Sequence, residues 1–311
     1  MWSISKRNIL LLTLFLVACA SLSTSNIFRR STQFNCRTVT PPSRARRSRF
    51  CSQRPKVIIY NRVPKAGSST TLALLSRLSK QNQFALVRLP YHNYSKVRSE
   101  IEAALLRPGR TLICDHFNFP SIFHGDDIAY INILREPVSR IISQYYYLRY
   151  GDRPAVEKNK VLHDRGNMTL DHCIQQDDSH RVKCLGSASS VSVGQSQYFC
   201  GRDGGDCSNL KRKELHARAM GNMEMFYSVG VIEHYGAFLQ MLEYTYPEFF
   251  RGAYALYDGS RVNTAQEKPQ YILPNNVSLE YLSRETELDQ ILYEKAVMQQ
   301  KLQLQACANF S

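Results

Sequence analysis

Two groups of side chains in this 311-residue chain could hold anions. The first is Arg62-Val63-Pro64-Lys65-Ala66-Gly67-Ser68-Ser69-Thr70, a loop rich in small residues that opens a segment of helical composition at residues 71–78. Backbone N–H groups at a helix start, with the helix dipole behind them, converge on an anion. Lys65 adds a full positive charge, and Ser68, Ser69 and Thr70 add hydroxyl donors. The pattern is neither Gly-x-x-x-x-Gly-Lys-Ser/Thr nor Gly-x-Gly-x-x-Gly, and an ordinary helix cap would use the same residue types. The second group is Arg135, directly after the apolar run 131–134 and two residues before Pro137, with Ser143 eight residues further on. Proline at a first helical turn puts Arg135 at the carboxyl end of a strand, where open α/β sheets take their ligands. The plainer reading pairs Arg135 with Glu136 or Asp152.

Both groups need a sheet behind them. Residues 57–60 form a short run of β-formers immediately ahead of the first loop, and 84–89, 111–114, 129–134 and 228–232 read as further strands. Helical stretches fall at 96–106, 137–150, 210–220 and 235–244, with one long final helix from 279 to about 308. Alternation of strand and helix predicts an α/β fold, a central parallel sheet with flanking helices. The chain carries no internal repeat.

The formal net charge of +14 does not coat that domain. Residues 29–56 hold nine basic side chains and no acidic one, whereas residues 57–311 hold 29 basic against 26 acidic, a net of +3. A nucleic-acid binder resting on overall charge is thereby excluded, and any polyanion site must be local. Residues 29–56, rich in Arg, Ser, Pro and Thr, read as a basic stem that cannot bury a core. Ahead of it, Lys6 and Arg7 precede an apolar run at 9–22 that 23–28 could extend across a bilayer. This reads as a signal anchor at 9–28 with a cytosolic tail at 1–8, or as a signal peptide cut after Ala18-Cys19-Ala20. Either places residues 57–311 in the secretory lumen.

Asn-X-Ser/Thr sites at Asn93, Asn167 and Asn276 could be used there, with a fourth at Asn309 near the end of the sequence. In an oxidising compartment Cys173 with Cys184 and Cys200 with Cys207 read as two short-loop disulfides. Their spacing does not match a zinc knuckle, and no metal is expected. Cys114 reads as a buried thiol, and Cys307 has no evident mate.

Tyr60-Asn61-Arg62-Val63-Pro64-Lys65, Tyr130-Ile131-Asn132-Ile133-Leu134-Arg135-Glu136-Pro137-Val138-Ser139-Arg140 and Ser143-Gln144-Tyr145-Tyr146-Tyr147-Leu148-Arg149-Tyr150-Gly151-Asp152 together resemble the uronyl 2-O-sulfotransferases of the Golgi. The likeness continues at Tyr198-Phe199-Cys200-Gly201, Val229-Gly230-Val231-Ile232-Glu233 and Phe249-Phe250-Arg251-Gly252, and covers about residues 57–305. The family includes heparan sulfate 2-O-sulfotransferase and the dermatan/chondroitin uronyl enzyme. The resemblance implies a P-loop-like sulfotransferase fold with a disulfide-bearing insertion and a long C-terminal helix. It also implies a single-pass Golgi membrane protein with a lumenal catalytic domain, a homotrimer, and 3'-phosphoadenosine 5'-phosphosulfate as sulfuryl donor.

By matching positions, Lys65, Ala66, Gly67, Ser68, Ser69 and Thr70 would hold the 5'-phosphosulfate, and Arg135 and Ser143 the 3'-phosphate. Two anion sites fit one ligand with phosphates at both ends. Lys65 would offset charge on the leaving oxygen. His116, in Asp115-His116-Phe117-Asn118-Phe119, matches the family's general base, although a histidine after a strand is by default a structural residue. Asp115 is not the residue expected before that histidine; it would tune His116 or face solvent.

The acceptor would be a glycosaminoglycan, met by Arg62 and by Lys158, Arg149, Arg261 and Lys268, the last three also readable as surface charges. After Gly151-Asp152, where the heparan enzyme carries a dense arginine cluster, this chain has only Arg153, Lys158 and Lys160. Heparan, dermatan and chondroitin sulfate therefore stay open as acceptors. The rival readings are a lumenal glycan-binding protein that kept the fold and lost catalysis, and, more weakly, a P-loop kinase.

Overall fold

A computed structural model describes residues 51–89, 94–121, 123, 125–150, 168–185, 194–201, 207–257 and 272–308. The targeting segment, most of the stem, Asn93, Asn167, Lys158, Arg261 and Lys268 lie outside the described residues. Five parallel strands form one sheet: β1 (Val57–Asn61), β2 (Ala85–Arg88), β3 (Thr111–Asp115), β4 (Ile128–Leu134) and β5 (Phe226–Val231), in the order β2-β3-β1-β4-β5. Every residue of β1, β3 and β4 is buried. That is why these segments read as continuous apolar runs: parallel strands are covered on both faces. β2, at the edge, is partly exposed.

Helices α1 (Ser68–Asn82), α2 (Tyr94–Leu106) and α3 (Pro137–Tyr150) make the early crossovers. Short helices α4 (Leu170–Gln175), α5 (Asp178–Leu185) and α6 (Ser196–Cys200) follow, then α7 (Arg212–Asn222) leads into β5. After the sheet come α8 (Tyr235–Thr245), α9 (Pro247–Phe250), α10 (Ala253–Tyr257), α11 (Asn276–Glu285) and α12 (Glu287–Ala308).

One core joins Val57, Ile59, Ile113 and Tyr130 to α2 and to Leu292 and Ala296 of α12. The other joins Ile58, Tyr60, Leu112 and Ile131 to Leu74, Leu75 and Leu78 of α1 and to Phe238 and Leu242 of α8. Alternate residues of one strand thus feed opposite cores, each fully buried large side chain contributing about 1.5–3 kcal/mol.

Two expectations change. The single final helix is two, broken at Thr286, whose hydroxyl donates to Leu282 O at 2.8 Å and whose carbonyl accepts from Gln290 N at 2.9 Å. Thr286 N also donates to Leu282 O, at 3.0 Å, so the hydroxyl adds a second bond to that carbonyl, back-bonding of the kind that bends helices. The stem also ends earlier than residue 56, because Ser52 N and Gln53 N donate to Tyr244 O and Thr245 O, and Cys51 is bonded to Cys307. That third disulfide was not legible in the spacing. Cys173–Cys184 and Cys200–Cys207 are also formed.

Among the described residues Cys114 is the cysteine outside a disulfide, and burial pushes its thiol up to about 11. No helix among the described residues is long and apolar enough to cross a membrane.

Candidate active site

β1 lies between β3 and β4, so the strand order reverses around it and a crevice opens at the carboxyl ends. Two buried asparagines close the floor: Asn132 Nδ2 donates to Asn61 O at 2.8 Å and Asn61 Nδ2 to Tyr198 O at 2.7 Å. The loop between β1 and α1 turns through Lys65 at φ 67° and Gly67 at φ 77°, both left-handed. Gly67 is the residue preceding α1, and a Cβ there would lie 2.4 Å from Ile232 Cδ1. Only glycine suits both constraints. Ser68 Oγ donates to Val63 O at 2.9 Å, so this hydroxyl shapes the loop itself.

Members of both groups line one cavity of about 650 Å³, Gly67 and Thr70 from the first and Arg135 and Ser143 from the second, with Ser139, Glu233, Tyr235 and Tyr257 among the others, whereas Lys65 and Ser68 are not among the lining residues. Arg135 Nη1 also donates to Lys65 O at 3.2 Å, joining the strand end to the loop. The plainer pairing of Arg135 with Glu136 is not what forms. The Glu136 carboxylate accepts from Val138 N and Ser139 N and caps α3. Glu233, an acidic wall of the cavity, accepts from Glu136 N and Tyr293 OH. Burial raises the Tyr235 hydroxyl well above the ordinary tyrosine range, so it stays protonated where it meets Thr71 Oγ1 at 3.0 Å. Ala66 is buried and Ser69 faces solvent, so neither lines the cavity.

The Lys65 ammonium lies 3.6 Å from the Tyr147 ring centroid, a cation–π contact that the sequence reading missed. The signal was present in the spacing, since Ser139, Ser143 and Tyr147 recur every four residues on one face of α3.

His116 follows β3 directly. Its Nδ1 lies 2.8 Å from Arg62 O, and because a carbonyl only accepts, Nδ1 carries the hydrogen. In the neutral ring Nε2 is then the nitrogen with the lone pair. Asp115 does not face solvent. Its Oδ1 accepts from Arg62 Nη2 at 2.8 Å and from His116 N at 2.9 Å, and Arg88 Nε stands 3.8 Å from Oδ2. Arg62, expected to face the acceptor, is 5% exposed and committed to Asp115. Arg149 is likewise withdrawn: it is 1% exposed, stacks on Tyr145 and donates to Cys184 O at 3.1 Å, bracing α3 against the Cys173–Cys184 segment. Asn276 is exposed at the start of α11. Among the described residues no group of three or more His, Cys, Asp and Glu side chains could hold a metal ion.

Residues 48–218 match the sulfotransferase family model. The chain is 30% identical over 221 residues to a mouse uronyl 2-sulfotransferase, an alignment covering 65% of this chain and 51% of that protein. It is 29% identical over 248 residues to the heparan sulfate 2-O-sulfotransferase hst-2 of Caenorhabditis elegans, covering 74% and 73%, and 27% identical over 261 residues to mouse heparan sulfate 2-O-sulfotransferase 1, covering 78% and 70%. The chain spans about half the length of the uronyl 2-sulfotransferases that it matches. A parallel sheet whose strand order reverses at β1, and a family match across more than half the sequence, lead to one conclusion: this chain belongs to the sulfotransferase family.

Proposed function

We propose that this protein transfers a sulfuryl group from 3'-phosphoadenosine 5'-phosphosulfate to the 2-hydroxyl of a uronic acid in a glycosaminoglycan. The observation that carries the reading is the convergence of Gly67 and Thr70, at the start of α1, with Arg135 and Ser143 around one cavity, together with the bond from Arg135 Nη1 to Lys65 O. Arg135 on one part of the cavity and the start of α1, at Gly67 and Thr70, on another suit a donor with anionic groups at both ends, and the names of the relatives supply the acceptor class.

The acceptor oxygen attacks sulfur in line, the new O–S bond forms, and the bond from sulfur to the phosphate oxygen breaks. Adenosine 3',5'-bisphosphate leaves with the electron pair, and the hydroxyl proton passes to His116 Nε2. Arg62 serves this step through its carbonyl, which holds the ring tautomer, while its guanidinium stays with Asp115. Lys65 offsets charge on the departing phosphate oxygen. A lumenal domain on a membrane anchor suits an acceptor made in the secretory pathway.

Incubation with sulfate-labelled donor and desulfated heparan, dermatan and chondroitin chains, followed by disaccharide analysis, tests the proposal. Label is expected at a uronyl 2-position, and loss of about a hundredfold or more in rate is expected for His116→Ala, the usual size of general base catalysis. Full activity of that variant would remove the base assignment. Donor binding without transfer to any chain would move the protein to a glycan-binding role.

A further inference from the structure

Arg135 lies one residue beyond β4, whose last paired residue is Leu134, opposite Val231. Its peptide groups have left the sheet, yet they are bonded. Arg135 N donates to Gln195 Oε1 at 3.0 Å, and Gln195 Nε2 donates to Arg135 O at 2.7 Å. One side-chain amide thus does for one residue what a neighbouring strand does inside a sheet.

Gln195 is itself fully buried and fixed from behind. Its backbone N donates to Asp289 Oδ2 at 2.8 Å, and Ser196 N donates to Oδ1 at 2.9 Å. Ser196 Oγ adds a third bond to Oδ1 at 2.6 Å. Asp289 is fully buried in the first turn of α12, where its charge also counters the buried Arg140. A buried carboxylate with three donors is a stiff anchor. The next peptide is held too, by Glu136 N on Glu233 Oε1 at 2.9 Å.

We propose that Gln195 is a positioning residue for donor binding. Braced by Asp289, it sets the backbone of Arg135 so that the guanidinium meets the donor's 3'-phosphate. The proposal rests on the reading of Arg135 as the 3'-phosphate contact. It assigns no chemistry to Gln195 and predicts a specific phenotype: lost discrimination for the 3'-phosphate.

Calorimetric titration of the full chain with adenosine 3',5'-bisphosphate and with adenosine 5'-monophosphate reads this directly. Gln195→Met, which keeps length and removes the amide, is expected to weaken bisphosphate binding about tenfold, the scale of one or two hydrogen bonds. Monophosphate binding should be unchanged, which also reports that the variant is folded. In an Arg135→Ala background Gln195→Met should add nothing, since the two act on one phosphate. Gln195→Glu, which keeps the acceptor for Arg135 N but turns an anion toward Arg135 O, should show the same selective loss. Asp289→Asn gives a second approach should the Gln195 variants not fold, with a smaller loss of the same kind.

Equal weakening toward both nucleotides, or losses that multiply with Arg135→Ala, would overturn the proposal. So would a Gln195→Met protein that binds the bisphosphate normally while Arg135→Ala does not. Normal bisphosphate binding by Arg135→Ala would instead remove the underlying reading of Arg135, a distinguishable result.

Discussion

Asp115 places one carboxylate where two neighbouring strands end, and it organises both. Arg62 N donates to Asp115 O at 2.8 Å, Arg62 Nη2 donates to Asp115 Oδ1, and His116 Nδ1 reaches back to Arg62 O. The result is a closed ring of contacts between the residues after β1 and those after β3, aligned because Asn61 sits opposite Asp115 in the sheet register. Asp115→Ala is expected to lose about 3–5 kcal/mol of stability in urea unfolding, because it strands a buried guanidinium. Arg62→Met combined with Asp115→Leu should recover much of that loss, and a double variant no more stable than Asp115→Ala would show that the charge is not the cause. His116 was legible as a candidate through its place after a strand taken together with the family resemblance. Its orienting group was not, since that partner is a backbone carbonyl 54 positions away across the sheet.

At the scale of elements, the loop and α1 work because the chain can turn left-handed just before the helix. Gly67→Ala meets a disfavoured φ and a side chain of the segment after β5, for a combined cost of about 2 kcal/mol or more. It should also weaken donor binding, because relief would come from moving the first turn of α1; unfolding curves and calorimetry with adenosine 3',5'-bisphosphate measure the two effects. A Gly67→Ala protein with unchanged affinity would separate the loop from the donor.

Strands β1, β3 and β4 were readable from sequence because burial on both faces makes them largely apolar. The break at Thr286 was not, since both sides of it have helical composition and the turn is marked only by the Thr286 hydroxyl joining its own backbone N on Leu282 O. The face of α3 carrying Ser139, Ser143 and Tyr147 could have been read from four-residue spacing. The amide of Gln195 could not, because it works through the backbone of a residue 60 positions away.

At the scale of the whole molecule, the Cys51–Cys307 bond joins positions 256 residues apart, and the segment between them contains all five described strands and the candidate site. Replacing both cysteines by serine is expected to cost about 2–5 kcal/mol, the usual range for a native disulfide, read as a lower urea midpoint at nearly unchanged transfer rate. A large fall in rate with unchanged stability would mean that the bond shapes the site instead. Sequence spacing could not pair these two cysteines, since neither has a neighbour that suggests a short loop, and folding alone brings them within 5.6 Å between Cα atoms.

The same bond decides how the domain carries mechanical load. A pull on the chain ahead of Cys51 passes through sulfur into α12, so tension is shared with the helix that packs along β5. The central strand β1 and the loop that follows it would thereby be less exposed to a pull arriving from the chain ahead of Cys51.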